Sequence, residues 1–207
     1  MINAFNLVDG IDGLAGFLGI SSFVSFSILF WTLDYAEYFG LCILMTGILA
    51  AYLPYNFSNK KKTFMGDSGS MLIGYLLFIL TMTFVANREP IIEKLIDRSI
   101  LPVAPMVIFF VPMVDTLSIF VYRLLNGRSP FSPDRLHLHH MMLKLFRTHS
   151  LASCCLMFLN IVLTSAFGYF SIHMSPTHFQ ILFFTLFFFC VIILTIIRQY
   201  KRKFLTI

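Results

Sequence analysis

Acidic residues beside glycines are the groups in this chain whose chemistry is easiest to specify. Residues 3–16 read NAFNLVDGIDGLAG, in which Asp9 and Asp12 are each followed by glycine, and residues 64–70 read FMGDSGS around Asp67. Carboxylates are costly near a lipid bilayer, and the chain around them is strongly apolar, so their presence indicates a function. Acidic groups beside glycines suit a hydrated divalent cation and a phosphorylated ligand.

Both motifs also have a structural interpretation, because Asp and Gly are common where a helix begins. Asp9 and Asp12 are three residues apart, which on a helical turn predicts one shared face. A helix cap needs one such residue, whereas this segment also carries Asn3 and Asn6, so we favour a binding site. For Asp67, a cap and a Mg²⁺ ligand are equally good interpretations of the motif alone.

A third polar segment follows an apolar stretch at residues 128–140, with the sequence RSPFSPDRLHLHH. His137, His139 and His140 donate hydrogen bonds when protonated and ligate metals when neutral. A zinc site is one interpretation, but no cysteine accompanies the histidines and arginines lie nearby. A phosphate-binding loop therefore fits better. A solvated basic patch would explain the arginines but not three histidines within four residues.

Composition indicates a membrane protein. Hydrophobic residues make up 58% of the 207 residues, charged residues make up 12%, and the mean hydropathy is +0.84. Since a membrane-spanning helix needs about 20 mostly apolar residues, the sequence predicts an all-α, polytopic integral membrane helical bundle of about six transmembrane helices, in one domain over residues 1–207. The predicted spans are Phe17–Leu33, Tyr38–Leu53, Ser70–Ala86, Leu101–Tyr122, Leu151–Ile172 and Phe179–Ile197.

Basic residues orient these spans. Twelve of the fifteen lysines and arginines lie in residues 54–69, 123–150 and 198–207, and six spans place these segments on the same side as residues 1–16. By the positive-inside rule this side is cytoplasmic. The sequence therefore predicts cytoplasmic site segments at 1–16, 54–69 and 123–150. The basic charge reflects topology and contact with anionic membrane lipid rather than binding of nucleic acid.

The three motifs, in this order and each beside an apolar span, resemble those of the polyprenyl-phosphate N-acetylhexosamine-1-phosphate transferase family. The resemblance rests on NAFNLVDGIDGLAG, FMGDSGS and SPFSPDRLHLHH and covers residues 1–150. The histidine motif is most similar to the branch that uses N-acetylglucosamine and undecaprenyl phosphate, with other N-acetylhexosamines left open. The resemblance implies that a lipid phosphate attacks the β-phosphate of a UDP-N-acetylhexosamine, releasing UMP, on the cytoplasmic face of the bacterial inner membrane.

The same resemblance implies roles for individual residues. It implies a Mg²⁺ ligand at Asp67, with Mn²⁺ as the alternative ion, because two anionic phosphates must be brought together. The residues that it makes catalytic are Asp9, Asp12, Asp67, His137, His139 and His140. The residues that it makes substrate-binding are Asn6, Asn56, Phe64 and Arg135, with Phe64 stacking on uracil.

One departure from the family leads to further expectations. The family carries an adjacent Asp-Asp pair in its N-terminal half, and no such pair occurs in these 207 residues. We expect that this half is missing and that the chain alone is inactive or needs it as a partner. An inactive truncated remnant and a structural membrane subunit are the alternatives. The superfamily also suggests a homodimer.

Asp115 lies within the fourth predicted span, in VPMVDTLSIF. An intramembrane carboxylate is expected to face a cavity or a partner. Orientation of a site group and a structural bond to a neighbouring helix are equally good interpretations. A transporter would also use such a residue, but it is disfavoured because the other predicted spans contain almost no ionisable side chains.

Overall fold

The computed structural model describes residues 2–86, 98–130, 132 and 136–205. Across these residues the backbone forms helices and turns and contains no strand, so the all-α prediction is confirmed. The helices are α1 (Ile2–Val8), α2 (Leu14–Thr32), α3 (Ala36–Asn56), α4 (Gly66–Ala86), α5 (Val103–Ile108), α6 (Phe110–Leu125), α7 (Leu138–Phe146), α8 (His149–His173) and α9 (Pro176–Leu205), with a 3₁₀ turn at Arg98–Ile100.

Five helices, α2, α3, α4, α8 and α9, are long and apolar enough to cross a membrane. The chain is therefore an integral membrane protein. In its most apolar stretch, α2 is 61% buried within the bundle, whereas α3 is 17% and α9 is 22% buried. This contrast places α2 at the centre of the bundle and leaves much of α3 and α9 for lipid.

The predicted span Leu101–Tyr122 is divided into α5 and α6 at Phe109. Pro112 accounts for the division, because it has no N–H to donate to the carbonyl of Ile108 and its ring would clash with that carbonyl in a continuous helix. Pro112 is tolerated instead in the first turn of α6, where the N–H groups have no partner within the helix. The count of six transmembrane helices therefore stays a prediction.

Asn160 of α8 supplies hydrogen-bond partners for the backbone between α5 and α6. Its Nδ2 donates to the carbonyl of Ile108 at 3.1 Å, and its Oδ1 accepts from the N–H of Val111 at 3.4 Å. Asn160 is 1% exposed, so neither water nor lipid can supply these bonds. Irregular backbone at membrane depth is tolerated only where protein satisfies it in this way.

The α5–α6 pair runs parallel to α9. Gln180, near the start of α9, donates to the carbonyl of Ser99 at 2.8 Å. Arg198, near its other end, donates to Asp115 at 2.6 Å. Eighteen residues of helix between these contacts measure about 27 Å. The end of α6 that carries Asp115 therefore lies at the same end of the bundle as the last turns of α9.

An aromatic cluster fixes the start of α6 within the bundle. The ring of Phe110 packs against Phe167 of α8 and against Phe183 and Phe187 of α9, with centroids 5.7 to 6.1 Å apart. In lipid such packing, rather than removal of apolar surface from water, holds helices together. The cluster lies five residues before Asp115 and so fixes where that carboxylate enters the bundle.

Candidate active site

A cavity of about 430 Å³ lies where the first motif meets residues 136–140. We call these residues the histidine loop, and they include the start of α7. The polar lining of the cavity includes Asn6, Asp9, Arg123, His137, His139 and His140. Residues far apart in sequence thus share one cavity at one end of the helical bundle. Of the predicted site residues, the cavity brings together the three histidines, Asn6 and Asp9.

The first motif is a turn between two helices. Because α1 ends at Val8 and α2 begins at Leu14, Asp9 and Asp12 lie in the connection, and the prediction of one shared helical face is wrong. Gly13 precedes α2 with a φ of 80°, and no side chain caps that helix. The interpretation of this motif as a helix cap is therefore wrong as well.

Gly10 brings this turn against the histidine loop. A Cβ atom at Gly10 would lie 2.3 Å from Nε2 of His139, so only glycine allows this approach without displacement. His139 is 3% exposed, and among the described residues its Nδ1 has no hydrogen-bond partner. The first and third motifs are therefore in van der Waals contact beside the cavity.

The second motif is joined to the first through α1 and α4. The hydroxyl of Ser70 lies 2.7 Å from Oδ1 of Asn6 and donates to it. Asp67, one helical turn earlier, is exposed at the start of α4 and does not line the cavity. Burial raises the pKa of Asp9, and the negative charges of Asp67 and then Asp12 raise it further. Asp67 and Asp12 thus each lie close enough to Asp9 to repel its negative charge.

Asp12 faces away from the cavity and is paired. Its Oδ2 lies 2.7 Å from the ammonium of Lys62 and 3.2 Å from Nδ1 of His149 in α8. Its backbone carbonyl accepts from Ser153 at 2.7 Å. Asp12 therefore joins the turn to α8 and to the loop before α4. Unlike Asp9, it does not line the cavity.

Asn56 is bonded to the backbone of two loops. It is 4% exposed, its Oδ1 accepts from the N–H of Gly13 at 2.5 Å, and its Nδ2 donates to the carbonyl of Thr63 at 2.8 Å. Its amide therefore bonds the backbone of two loops, and its role in substrate binding stays a prediction. Phe64 is 70% exposed, and the ammonium of Lys62 lies 5.1 Å from its ring centroid.

The histidine loop is anchored on Asp115. Nδ1 of His137 lies 3.0 Å from Oδ2 of Asp115, and the N–H of Leu138 donates to Oδ1 at 2.9 Å. Asp115 thus holds the residue before α7 and satisfies an N–H of that helix's first turn. Both interpretations of Asp115 hold, since it orients a histidine and also bonds Arg198 of a neighbouring helix. Arg135 lies outside the described residues.

His139 is neutral at physiological pH. Burial and, to a smaller extent, the neighbouring His140 lower its pKa to about 3, against the opposing charge of Asp115. Ligand atoms of Asp115, His137 and His139 lie within 4.8 Å of one another, as a metal site requires. However, Asp115 is already paired with Arg198, and a divalent ion there would add positive charge beside a buried guanidinium. The carboxylates of Asp9 and Asp67 suit a cation better.

Sequence reasoning missed Arg123 and Arg198 as site groups and counted them only as orienting charges. Arg123 is 3% exposed, lines the cavity, and donates through Nη1 to the carbonyl of Pro130. The signal available in the sequence was their position at the ends of apolar segments, where an arginine side chain can turn into the protein instead of toward lipid headgroups.

Comparison with known proteins agrees with these motifs. Residues 1–85 match the model of Glycosyl transferase family 4. The chain is 39% identical over 150 residues to the undecaprenyl-phosphate alpha-N-acetylglucosaminyl 1-phosphate transferase of Escherichia coli (strain K12), covering 69% of this chain and 38% of that protein. It is 37% identical over 163 residues to the decaprenyl-phosphate N-acetylglucosaminephosphotransferase of Mycobacterium leprae (strain TN), covering 72% and 40%.

These comparisons confirm the resemblance drawn from the three motifs, for the part of the chain that they cover. The chain spans only about 38 to 40% of the length of these relatives. No solved structure matches it. The glycosyl transferase match ends at residue 85, so the histidine loop and α9 lie beyond it.

Proposed function

We propose that this chain forms the cavity of a phosphoglycosyl transferase, which moves N-acetylglucosamine-1-phosphate from its UDP derivative to undecaprenyl phosphate. The products are an undecaprenyl diphosphate-sugar and UMP, and the reaction begins the synthesis of a cell-envelope polysaccharide. We place the reaction on the cytoplasmic face of the bacterial inner membrane. The names of the E. coli and M. leprae relatives support the transfer of N-acetylglucosamine phosphate and a polyprenyl phosphate acceptor.

The observation that carries the proposal is the meeting of the first motif and the histidine loop in one cavity. Asn6 and Asp9 face His137, His139 and His140 across a volume of about 430 Å³. Polar groups converging in a cavity of this size are typical of a small-molecule site. Because these groups come from segments more than 120 residues apart in sequence, their convergence has no simple explanation as local helix capping.

The carboxylates beside this cavity suit Mg²⁺. Burial and then the negative charge of Asp67 raise the pKa of Asp9, which supports an interaction between these two like charges. A divalent ion relieves such repulsion, and Mg²⁺ is commonly held by one or two carboxylates together with phosphate oxygens. Asp67 is exposed and available as a ligand, with Asp9 as its neighbour. When bound, the ion supplies charge stabilisation for the phosphates.

The remaining groups suit binding and orientation of the diphosphate. Arg123 brings a fixed positive charge to the cavity wall, and a guanidinium is well matched to phosphate oxygens. His140 brings a ring nitrogen that can donate a hydrogen bond. His137, whose Nδ1 lies 3.0 Å from Asp115, presents Nε2 to the cavity as an acceptor. His139 is uncharged and buried, so it positions neighbouring groups without adding charge. In the reaction, an oxygen of the lipid phosphate bonds to the β-phosphorus as the bond to the UMP oxygen breaks.

Phe64 completes the proposed donor site. Its exposed ring, close to the exposed start of α4, suits stacking on a uracil base. The ammonium of Lys62 lies 5.1 Å from the centroid of this ring, so a positive charge lies beside the proposed base site.

A direct assay tests the proposal. Membranes that carry the chain are incubated with radiolabelled UDP-N-acetylglucosamine, undecaprenyl phosphate and Mg²⁺, and organic-phase radioactivity and UMP are measured. The chain is tested alone and together with the part of the E. coli relative that it does not match, and Asp67→Asn is the inactive control. We expect labelled lipid and UMP in equal amounts in at least one arm.

Binding of the nucleotide provides a second readout that does not depend on turnover. UMP and UDP-N-acetylglucosamine are expected to raise the thermal stability of the chain, and CMP is expected to do so less. Absence of labelled lipid in both arms, together with no stabilisation by either uridine nucleotide, would overturn the proposal.

A further inference from the structure

Arg198 is a fully buried charge at the end of the last helix. Its side chain is 0% exposed, and three of its nitrogens are engaged. Nη2 donates to Oδ1 of Asp115 at 2.6 Å, Nη1 to the hydroxyl of Ser118 at 2.5 Å, and Nε to the carbonyl of Leu136 at 2.8 Å. A guanidinium supplies this planar fork of donors, and a lysine ammonium cannot reproduce it.

The partners of Arg198 belong to two different parts of the site. Asp115 and Ser118 lie on α6, whereas Leu136 lies in the histidine loop, directly before His137. Arg198 therefore bonds the carboxylate that faces His137 and also the backbone adjoining that histidine. The residue thus joins α9, α6 and the loop at a single point.

The carboxylate of Asp115 transmits this arrangement to His137. One oxygen accepts from Arg198 and from the N–H of Leu138, which leaves the other oxygen directed at Nδ1 of His137 at 3.0 Å. A carboxylate at Nδ1 selects the tautomer that carries hydrogen there and leaves Nε2 as the acceptor nitrogen. His137 lines the cavity, so this choice sets what the histidine presents to a ligand.

We infer that Arg198 is a positioning residue, which acts through Asp115 to fix the tautomer and placement of His137 in the proposed transferase site. The inference rests on the proposed function for its catalytic consequence, but its structural part does not. Helix α9 thereby contributes to the cavity although it supplies no group to the reacting atoms.

The test is the substitution Arg198→Lys, which keeps the charge and removes the fork. Nitrogen-15 signals of the histidines, with His137 assigned by comparison with His137→Gln, report its tautomer in the folded protein. We expect one tautomer, with hydrogen on Nδ1, in the unaltered chain and a mixture in Arg198→Lys. Transferase kcat is expected to fall about 10- to 100-fold, with little change in KM for the UDP-sugar.

Arg147→Lys is the matched control, because Arg147 is exposed and the chemical change is the same. It is expected to leave the His137 signals and kcat unaltered. If Arg198→Lys does not fold, Ser118→Ala removes just one of the three anchors, and the His137 tautomer ratio is expected to shift in the same direction.

The outcomes separate this inference from the proposed function. A folded Arg198→Lys chain with unaltered His137 signals and kcat would overturn the inference while leaving the transferase intact, as would an unaltered ratio in a Ser118→Ala chain tested in its place. Absence of labelled lipid in both arms of the transferase assay, with no stabilisation by a uridine nucleotide, would overturn the proposed function. The tautomer measurement alone would then decide whether Arg198 positions His137.

Discussion

Gly10 and His139 lie in direct contact, because a Cβ atom added at Gly10 would lie 2.3 Å from Nε2 of that histidine. A turn near the start of the chain thus closes on a buried side chain of the histidine loop. This contact leaves no room for a larger residue and holds one wall of the proposed site against the other.

Gly10→Ala is expected to displace His139 or the turn that carries Asp9. Insertion of a methyl group into a packed contact costs about 1–3 kcal/mol of stability, and the displacement should lower transferase activity about 10- to 100-fold. Gly40→Ala is the control, since no atom lies within 4 Å of a Cβ there. Activity of Gly10→Ala equal to that of Gly40→Ala would contradict the contact.

The buried His139 is expected to make the fold sensitive to acid. Burial lowers its pKa from 6.5 to about 3, so the unfolded chain takes up this proton at a higher pH than the folded chain. The free energy of unfolding is therefore at its full value above pH 6.5 and falls as the pH decreases toward 3, by about 1.4 kcal/mol per pH unit for a single group.

His139→Gln is expected to show a shallower loss of stability over that window than the unaltered chain. The measurement is thermal unfolding in detergent between pH 7 and pH 4. His173→Gln, at an exposed histidine, should keep the original slope. Equal slopes for all three chains would show that His139 titrates normally in the folded protein.

Phe64→Ala is expected to weaken binding of the UDP-sugar more than it slows turnover. Loss of a base-stacking aromatic costs about 1–3 kcal/mol, so KM for the donor should rise about tenfold with kcat nearly constant. Phe188→Ala removes an exposed ring from the lipid-facing helix α9 and should alter neither constant. A fall in kcat with KM unaltered would exclude uracil stacking at Phe64.

Asp67→Asn is expected to remove stabilisation by divalent ions. Mg²⁺ should raise the unfolding temperature of the unaltered chain, because it relieves repulsion between the carboxylates of Asp67 and Asp9. In Asp67→Asn this increase should vanish. Glu37→Gln, at an exposed carboxylate at the start of α3, should retain it. An increase that survives in Asp67→Asn would place the ion elsewhere.

Asn160→Leu is expected to destabilise the division between α5 and α6. The substitution leaves the buried carbonyl of Ile108 and N–H of Val111 without their side-chain partner, at a cost of about 1–3 kcal/mol for each such group. Leu159→Val, on the lipid-facing side of the same helix, is the control. Equal unfolding temperatures for Asn160→Leu and Leu159→Val would show that another group bonds the carbonyl of Ile108 and the N–H of Val111.

Local pattern determined the helices and motifs of this chain. Long apolar stretches must form helices in lipid, where backbone groups have no other partners, and this fixed α2, α3, α4, α8 and α9. Contiguous motifs such as residues 64–70 can be interpreted without knowledge of the fold. Pro112 also contained the information that the fourth span breaks, although hydropathy alone gave no sign of it.

Tertiary structure decided which polar residues meet and which do not. Asp9 and Asp12 are neighbours in one motif, yet one lines the cavity and the other pairs with Lys62 and His149. The sequence does not show which groups Asn56 bonds, and only the tertiary structure places its Oδ1 against the N–H of Gly13.

Arg198 shows the same limit of sequence patterns, and its contact with Asp115 matters most for the site. Its distance of 83 residues from Asp115 hides the contact from any local pattern, and sequence alone marks it as one more basic residue at the end of a span. A charge on a helix is directed to headgroups or to a buried carboxylate according to how that helix packs. Packing among α6, α8 and α9 determines the direction of the Arg198 side chain, because it buries Asp115 within reach of the guanidinium.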